Sequence, residues 1–231
     1  MKKLLFTLAG LALAPAAFAQ VEIGLKVSPG ISWLRASSPS ATSFQGDGSH
    51  FSFGGGVFMD YFFGENYAFN TGLFLTGKGG SYTYREPLVG GVQPTVSQQL
   101  TIQYLEIPAT IKLFTNEVAP DVRLFFQVGG SVAFPVGARL NGDKYYTDPF
   151  FLNGSQPTQT QASDHVFFID ANLLGSIGTE YQLGKSTKAL FGISYHHGLI
   201  DLDRYFENDR KFVNDVSIKN SVIALDLGLK F

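Results

Sequence analysis

The last ten residues alternate with period two. Ile223, Leu225, Leu227, Leu229 and Phe231 fall on one face, and Val222, Ala224, Asp226, Gly228 and Lys230 on the other. A helix of period 3.6 would scatter both sets around its circumference, so this segment is a strand. The same pattern opens the chain after residue 20, with Val21, Ile23, Leu25 and Val27 against Glu22, Gly24, Lys26 and Ser28. It recurs from Phe51 to Tyr61, Tyr67 to Lys78, Leu105 to Leu113, Val122 to Phe134, Phe167 to Tyr181 and Phe191 to Leu199. About eight strands result, many longer than the five or six residues usual in globular sheets. Leu100, Ile102 and Tyr104 keep one phase while Leu105 onward keeps the other, which predicts a β-bulge near Tyr104–Leu105. Pro108 removes a ladder donor and calls for a bulge or an unpaired position.

Charge divides the two faces more sharply than hydropathy does. Glu22, Asp60, Glu106, Asp170, Glu180 and Asp226 all lie on the polar registers, as do Lys26, Lys78, Lys112, Arg123 and Lys230. The apolar registers carry no Asp, Glu, Lys or Arg, and His197 is their one ionisable residue. A soluble barrel of lipocalin type turns its charges to water and its apolar side chains inward. A membrane barrel reverses this: apolar residues meet lipid, and charges of both signs pair inside. The near balance of the two signs favours the second arrangement, with those eleven residues as a structural charge network in the lumen. Glycines on the same register leave room in a narrow interior.

The connections alternate as the strands do. Phe63–Asn66, Thr115–Asp121 and Gly184–Thr187 are short and rich in turn residues. Leu34–His50, Gly79–Gln98, Ala138–Asp164 and Ile200–Asn214 are long and polar. Short turns at one end and long loops at the other is the layout of an outer-membrane barrel. At the N-terminus, Lys2 and Lys3 precede an apolar run from Leu4 to Ala14 and an Ala17-Phe18-Ala19 cleavage pattern. Residues 1–19 are therefore expected to be a signal peptide and residues 20–231 the barrel domain. As a membrane anchor the run falls short of the usual span of about 20 residues.

Composition narrows the rest. Charged residues make up 16% of the chain, below the soluble average of about 25%. A net charge of −2 gives no basic footprint, so nucleic acid is not an expected partner. With no cysteine, disulfides and thiolate metal sites are excluded. His196 and His197 are strand neighbours that face opposite sides and cannot share a metal. Ser194 and His196 share a face, but no third group completes a catalytic set. Gly54-Gly55-Gly56 lacks the following helix and Lys-Ser/Thr of a phosphate loop. The acids of the last long loop, Asp201, Asp203, Glu207, Asp209 and Asp215, lack calcium-loop spacing and sit among Arg204, Arg210 and Lys211 as a solvated mixed-charge segment. Asn153-Gly154-Ser155 matches a glycosylation sequon without consequence in a bacterial surface loop. No enzyme activity and no cofactor are expected.

Tyr104-Leu105-Glu106-Ile107-Pro108 followed by Lys112 resembles the characteristic strand of the PorT-like outer-membrane β-barrel family, common in Bacteroidota. Lys78-Gly79 after an apolar strand, Gly175 to Tyr181, and the ending Leu227-Gly228-Leu229-Lys230-Phe231 resemble it too. The likeness covers essentially the whole chain after the leader and implies a barrel without implying an activity. A terminal aromatic such as Phe231 resembles the signal read by the outer-membrane insertion machinery.

The expectation is an all-β, eight-stranded antiparallel transmembrane β-barrel in the bacterial outer membrane. Both termini would be periplasmic and four long loops extracellular. It would be a monomer whose partners are outer-membrane lipid and, during biogenesis, the insertion machinery. The expected role is structural or interactive through the loops, with a narrow pore for ions or small solutes as the alternative; the sequence identifies no loop ligand.

Overall fold

A computed structural model describes residues 20–38, 43–85, 94–153, 156–204 and 216–231. The expected leader, residues 1–19, lies outside the described residues, as do most of the charged positions of the last long loop and two of the three sequon residues. The strands are β1 (Val21–Ser37), β2 (Gln45–Gly46), β3 (Ser49–Gly64), β4 (Tyr67–Arg85), β5 (Thr95–Ala119) and β6 (Val122–Leu140). There follow β7 (Tyr145–Asn153), β8 (Gln156–Gln161), β9 (Asp170–Gln182), β10 (Lys188–Gly198) and β11 (Ser217–Lys230).

Eight of these close on themselves. The order β4-β3-β1-β11-β10-β9-β6-β5 returns from β5 to β4, and every pairing is antiparallel. Closure leaves no unpaired edge, the condition a sheet must meet to stand in hydrocarbon. The seam is fastened beside the C-terminus, where Ile23 N donates to Phe231 O at 3.2 Å and Phe231 N to Ile23 O at 2.8 Å. Tight turns at Glu65–Asn66 and Pro120–Asp121 and the short link 183–187 share this terminal end. The four long connections share the other, the loop end. There β7 and β8 form a hairpin of their own, and β2 adds to β4.

Along β5 the alternation never slips. Leu100, Ile102 and Tyr104 are buried, and so are Glu106, Thr110 and Lys112, all in the same phase; Ile107, Ile111 and Leu113 face outward. The β4–β5 register runs unbroken through Thr76–Tyr104 and Leu75–Leu105. The bulge expected at Tyr104–Leu105 is therefore not there. It sits in the partner strand: Gln103 pairs with Gly137 and Tyr104 with Pro135, which leaves Val136 extra in β6. What changes in β5 is its surroundings. Tyr104 is 0% exposed inside the barrel, while Ile107, three residues on, is 42% exposed outside it. Above this level Thr101 and Gln103 take the outward register. Below Tyr104 the barrel is apolar outside and holds its charges inside, among a second buried cluster of Phe58, Phe74, Phe114, Phe125 and Leu190; above Tyr104 it is apolar inside and polar outside. Pro108 is accommodated by a local lapse in the β4–β5 ladder, between the Thr71–Ala109 and Phe74–Glu106 pairs.

The apolar interior of the loop end is a packed core. Leu34, Tyr82, Tyr84, Leu100, Ile102, Tyr104, Leu140 and Ile218 come from the strands. Phe44, Ala162 and Leu202 come from connections that sequence alone reads as polar links, and Val166 and Val216 from just beyond two of them. These fold inward because each places an apolar side chain over a mouth lined with aromatics; Phe44, for example, stacks on Tyr84 at 4.9 Å. The link expected at Gly79–Gln98 is also shorter than its polarity implies. Antiparallel pairing continues to Arg85–Thr95, well beyond the 9–11 residues or so that a bilayer needs. Gly79 allows the close approach of β4 to β5: its φ is +148°, and a Cβ there would lie 2.0 Å from Leu100 O.

Candidate functional site: the charged lumen

Below the loop-end core, the inward register gathers the charges into three groups. The group nearest the termini centres on Lys230, whose Nζ lies 2.8 Å from Glu22 Oε2, 2.9 Å from Asp60 Oδ2 and 2.8 Å from Glu180 Oε2. Lys112 reaches Glu180 at 2.7 Å and Asp60 at 3.3 Å. Lys188 reaches Glu22 at 2.6 Å. Three cations thus meet three carboxylates, and Asn70 donates a further bond to Asp60 at 2.6 Å. Aromatic rings enclose them, with Lys112 Nζ 4.3 Å from the Phe125 centroid and Lys230 Nζ 5.2 Å from that of Phe114. Such burial is tolerable because every charge is paired and hydrogen-bonded.

The middle group is small: Asp226 accepts from Lys26 at 3.2 Å and from Ser28 at 2.6 Å. The third group lies just under Tyr104. Lys78 stands 3.0 Å from Glu106 and 3.9 Å from Asp170. Glu106 also accepts from Ser131 at 2.5 Å and Thr76 at 3.0 Å, and His196 Nδ1 is 3.1 Å away. Asn220 joins Asp170 to the Tyr104 hydroxyl, at 3.5 and 3.3 Å. Between the groups is a cavity of about 50 Å³, lined by Lys26, Asp226, Lys78, Glu106, His196 and Gln127 among others.

Ten of the eleven charged residues singled out in the sequence thus enter three ion-pair groups. Arg123 does not. It starts β6 at the terminal-end turns, where its fork meets carbonyls before carboxylates: Nε bonds Thr115 O at 3.1 Å, and Nη2 bonds Asn66 Oδ1 at 2.7 Å and Glu65 O at 3.1 Å. Glu180 is its cross-strand neighbour, but that carboxylate is turned to Lys112 and Lys230. Two participants were missed, Lys188 and His196. Both share the inward parity of β10 with Leu190 and Ser194, so extending that strand's pattern back from Phe191 would have found Lys188.

Glu106 supplies the carboxylate partner for His196 that the sequence did not reveal, and Ser194 Oγ has no hydrogen-bond partner among the described residues. His50 lies at the loop-end rim, 2.9 Å from Ser81 Oγ, and His165 packs on Tyr146. Among the described residues, no three His, Asp or Glu side chains converge on a metal position.

Outside, the barrel is apolar around the same levels. Val21, Ile23, Leu25, Phe53, Val57, Leu73, Leu75, Val128, Ile177, Phe191, Ile193, Leu227 and Leu229 alternate with these buried charges. Residues 18–204 match the family model of the outer membrane protein beta-barrel domain. The chain belongs to that family. Solved structures similar to it include Neisserial surface protein A, 12% identical, with 92% of this chain and 97% of that one covered and a TM-score of 0.43. OprG from Pseudomonas aeruginosa is 13% identical over 90% of this chain and 95% of its own, with a TM-score of 0.44. Ail of Yersinia pestis, in complex with the heparin analogue sucrose octasulfate, is 12% identical over 92% and 99%, with a TM-score of 0.41. No curated protein matches the chain.

In this outer-membrane β-barrel protein the apolar registers face outward and the charges lie in the lumen. Leu225 is 48% exposed on the outer wall, and Asp226, its neighbour, is 2% exposed inside. Phe231 closes the outward register of β11.

Proposed function

We propose that this outer-membrane protein is a plugged, non-enzymatic barrel whose role is to carry a folded loop-end surface. The loop end faces the cell exterior and both termini face the periplasm, as the short turns beside the termini suggest. Residues 1–19 are its export signal, Phe231 is the mark read by the insertion machinery, and the barrel works as a monomer of PorT-like type. The observation that carries this reading is the loop-end core. Tyr82, Tyr84, Leu100, Ile102 and Tyr104 pack across the lumen with side chains from the connections, leaving apolar atoms where a conducting path would need polar ones. An eight-stranded barrel has an interior just wide enough for side chains to fill.

The polar cavity around Lys26, Asp226 and Glu106 favours a second reading, a narrow pore for ions or small solutes. Planar-bilayer recording of the purified protein separates the two. The plugged barrel gives no discrete conductance steps; sustained, reproducible steps would replace it with the pore.

A further inference from the structure

The seam between β1 and β11 presents an ordered column to the outside. Its successive cross-strand pairs are Leu25–Leu229, Val27–Leu227, Ile31–Ile223, Trp33–Ser221 and Arg35–Lys219. The first three are wholly apolar. Trp33, the only tryptophan in the chain, stacks on Tyr195 with ring centroids 6.3 Å apart. Tryptophan and tyrosine collect at the level of lipid headgroups, so this pair marks where the hydrocarbon ends.

One step further towards the loops, two cations stand directly opposite each other. Like charges in that relation destabilise a sheet unless something shares them. Arg35 is held flat against the wall: Nε donates to Ser221 Oγ at 2.9 Å and Nη2 to Gly198 O at 2.5 Å. That engages two of its five N–H groups, and among the described residues the other three have no partner. Lys219 has no ion pair among the described residues. His197, the cross-strand neighbour of Ser221 on β10, flanks the pair, its Nδ1 engaged by the Tyr195 hydroxyl at 3.0 Å. The outward registers of β1, β10 and β11 contain no Asp or Glu. The nearest acids are engaged elsewhere. Asp47, in the link between β2 and β3, is tied to β4 by Asp47 N donating to Ser81 O at 2.8 Å. Asp201 Oδ1 accepts from Ile218 N at 2.8 Å and Asp203 N at 3.0 Å; among the described residues neither acid pairs with Arg35 or Lys219.

We propose that Arg35 and Lys219 hold the phosphate of an anionic lipid whose acyl chains lie along the column from Ile31 to Leu229. The site rests on the outward registers facing lipid. It requires a phosphate at headgroup depth attached to chains below it, which a lipid supplies and a free anion does not.

Trp33 is a built-in reporter one pair below the bases. The protein is inserted into phosphatidylcholine vesicles containing a minor fraction of either dibrominated phosphatidic acid or dibrominated phosphatidylcholine, and quenching of Trp33 is compared at equal fractions. Attraction near a membrane surface enriches anionic lipid roughly fivefold per base, about thirtyfold for two. Phosphatidic acid should therefore quench well beyond phosphatidylcholine. In the double variant Arg35→Gln, Lys219→Gln the two quenchers should become equal, with phosphatidylcholine quenching unchanged as proof of insertion. Arg85→Gln, at the end of β4, should keep the preference, as should inorganic phosphate added to the buffer. Equal quenching in the unaltered protein would overturn the site alone. So would a preference that survives the double variant, is lost in Arg85→Gln, or is competed away by inorganic phosphate. No quenching by either lipid would overturn the face assignment and the site with it.

Discussion

Lys230 is the side chain on which the terminal-end lumen turns. It serves Glu22, Asp60 and Glu180 together, with 1% of its side chain exposed. Replacing it with Met leaves three carboxylates to Lys112 and Lys188. Removing one partner from a buried ion pair costs about 3–5 kcal/mol, so Lys230→Met should lower the urea midpoint strongly. Lys26→Met, which strands only Asp226 beside the cavity, should lower it less, and equal midpoints would contradict the network. Leu225→Arg should impair insertion more than Asp226→Asn. The first sets a cation against hydrocarbon, at about 2–4 kcal/mol near the midplane, and the second keeps a polar group beside Lys26 and Ser28. Folding yield into vesicles measures both. The parity of each charge was legible in the sequence, because a strand's faces are fixed by counting. The pairings were not. Lys26 and Asp226 are 200 residues apart and meet only because closure sets β1 beside β11. Arg123 shows the limit of parity, since its position at a turn gives it carbonyl partners that counting cannot anticipate.

At the scale of the element, β5 and β6 show how a sequence pattern can point to the right event in the wrong strand. The run Leu100, Ile102, Tyr104 followed by Leu105, Ile107 resembles a slip of one residue. It is instead a continuous strand passing from a polar lumen into an apolar one. The real slip, at Val136, was illegible because Phe134 and Val136 both continue the outward apolar series and Gly137 leaves no side chain to betray the change. The two deletions should therefore behave oppositely. Removing Val136 restores a regular ladder with Ala138 and Leu140 still inward, and the loop end should keep its resistance to limited proteolysis. Removing Gln103 reverses every side chain beyond it, turning Leu100 and Ile102 to water, and the loop end should become protease-sensitive while the lower barrel still inserts. Equal sensitivity of the two would count against an unbroken β5.

For the whole molecule, the decisive property is that the barrel exchanges its faces at Tyr104. Within the membrane it is inverted, with ion pairs inside and aliphatic side chains outside. Beyond the membrane it is an ordinary water-facing barrel, closed by a core that its own connections complete. The absence of native cysteine makes this directly measurable. Single cysteines at Thr101, Gln103, Ile107 and Ile111 share the outward register of β5 and differ only in level. In vesicles, Thr101→Cys and Gln103→Cys should react with a membrane-impermeant maleimide, whereas Ile107→Cys and Ile111→Cys should be protected until the membrane is dissolved. Reaction at 107 and 111 from water, with 101 and 103 protected, would contradict the exchange of faces.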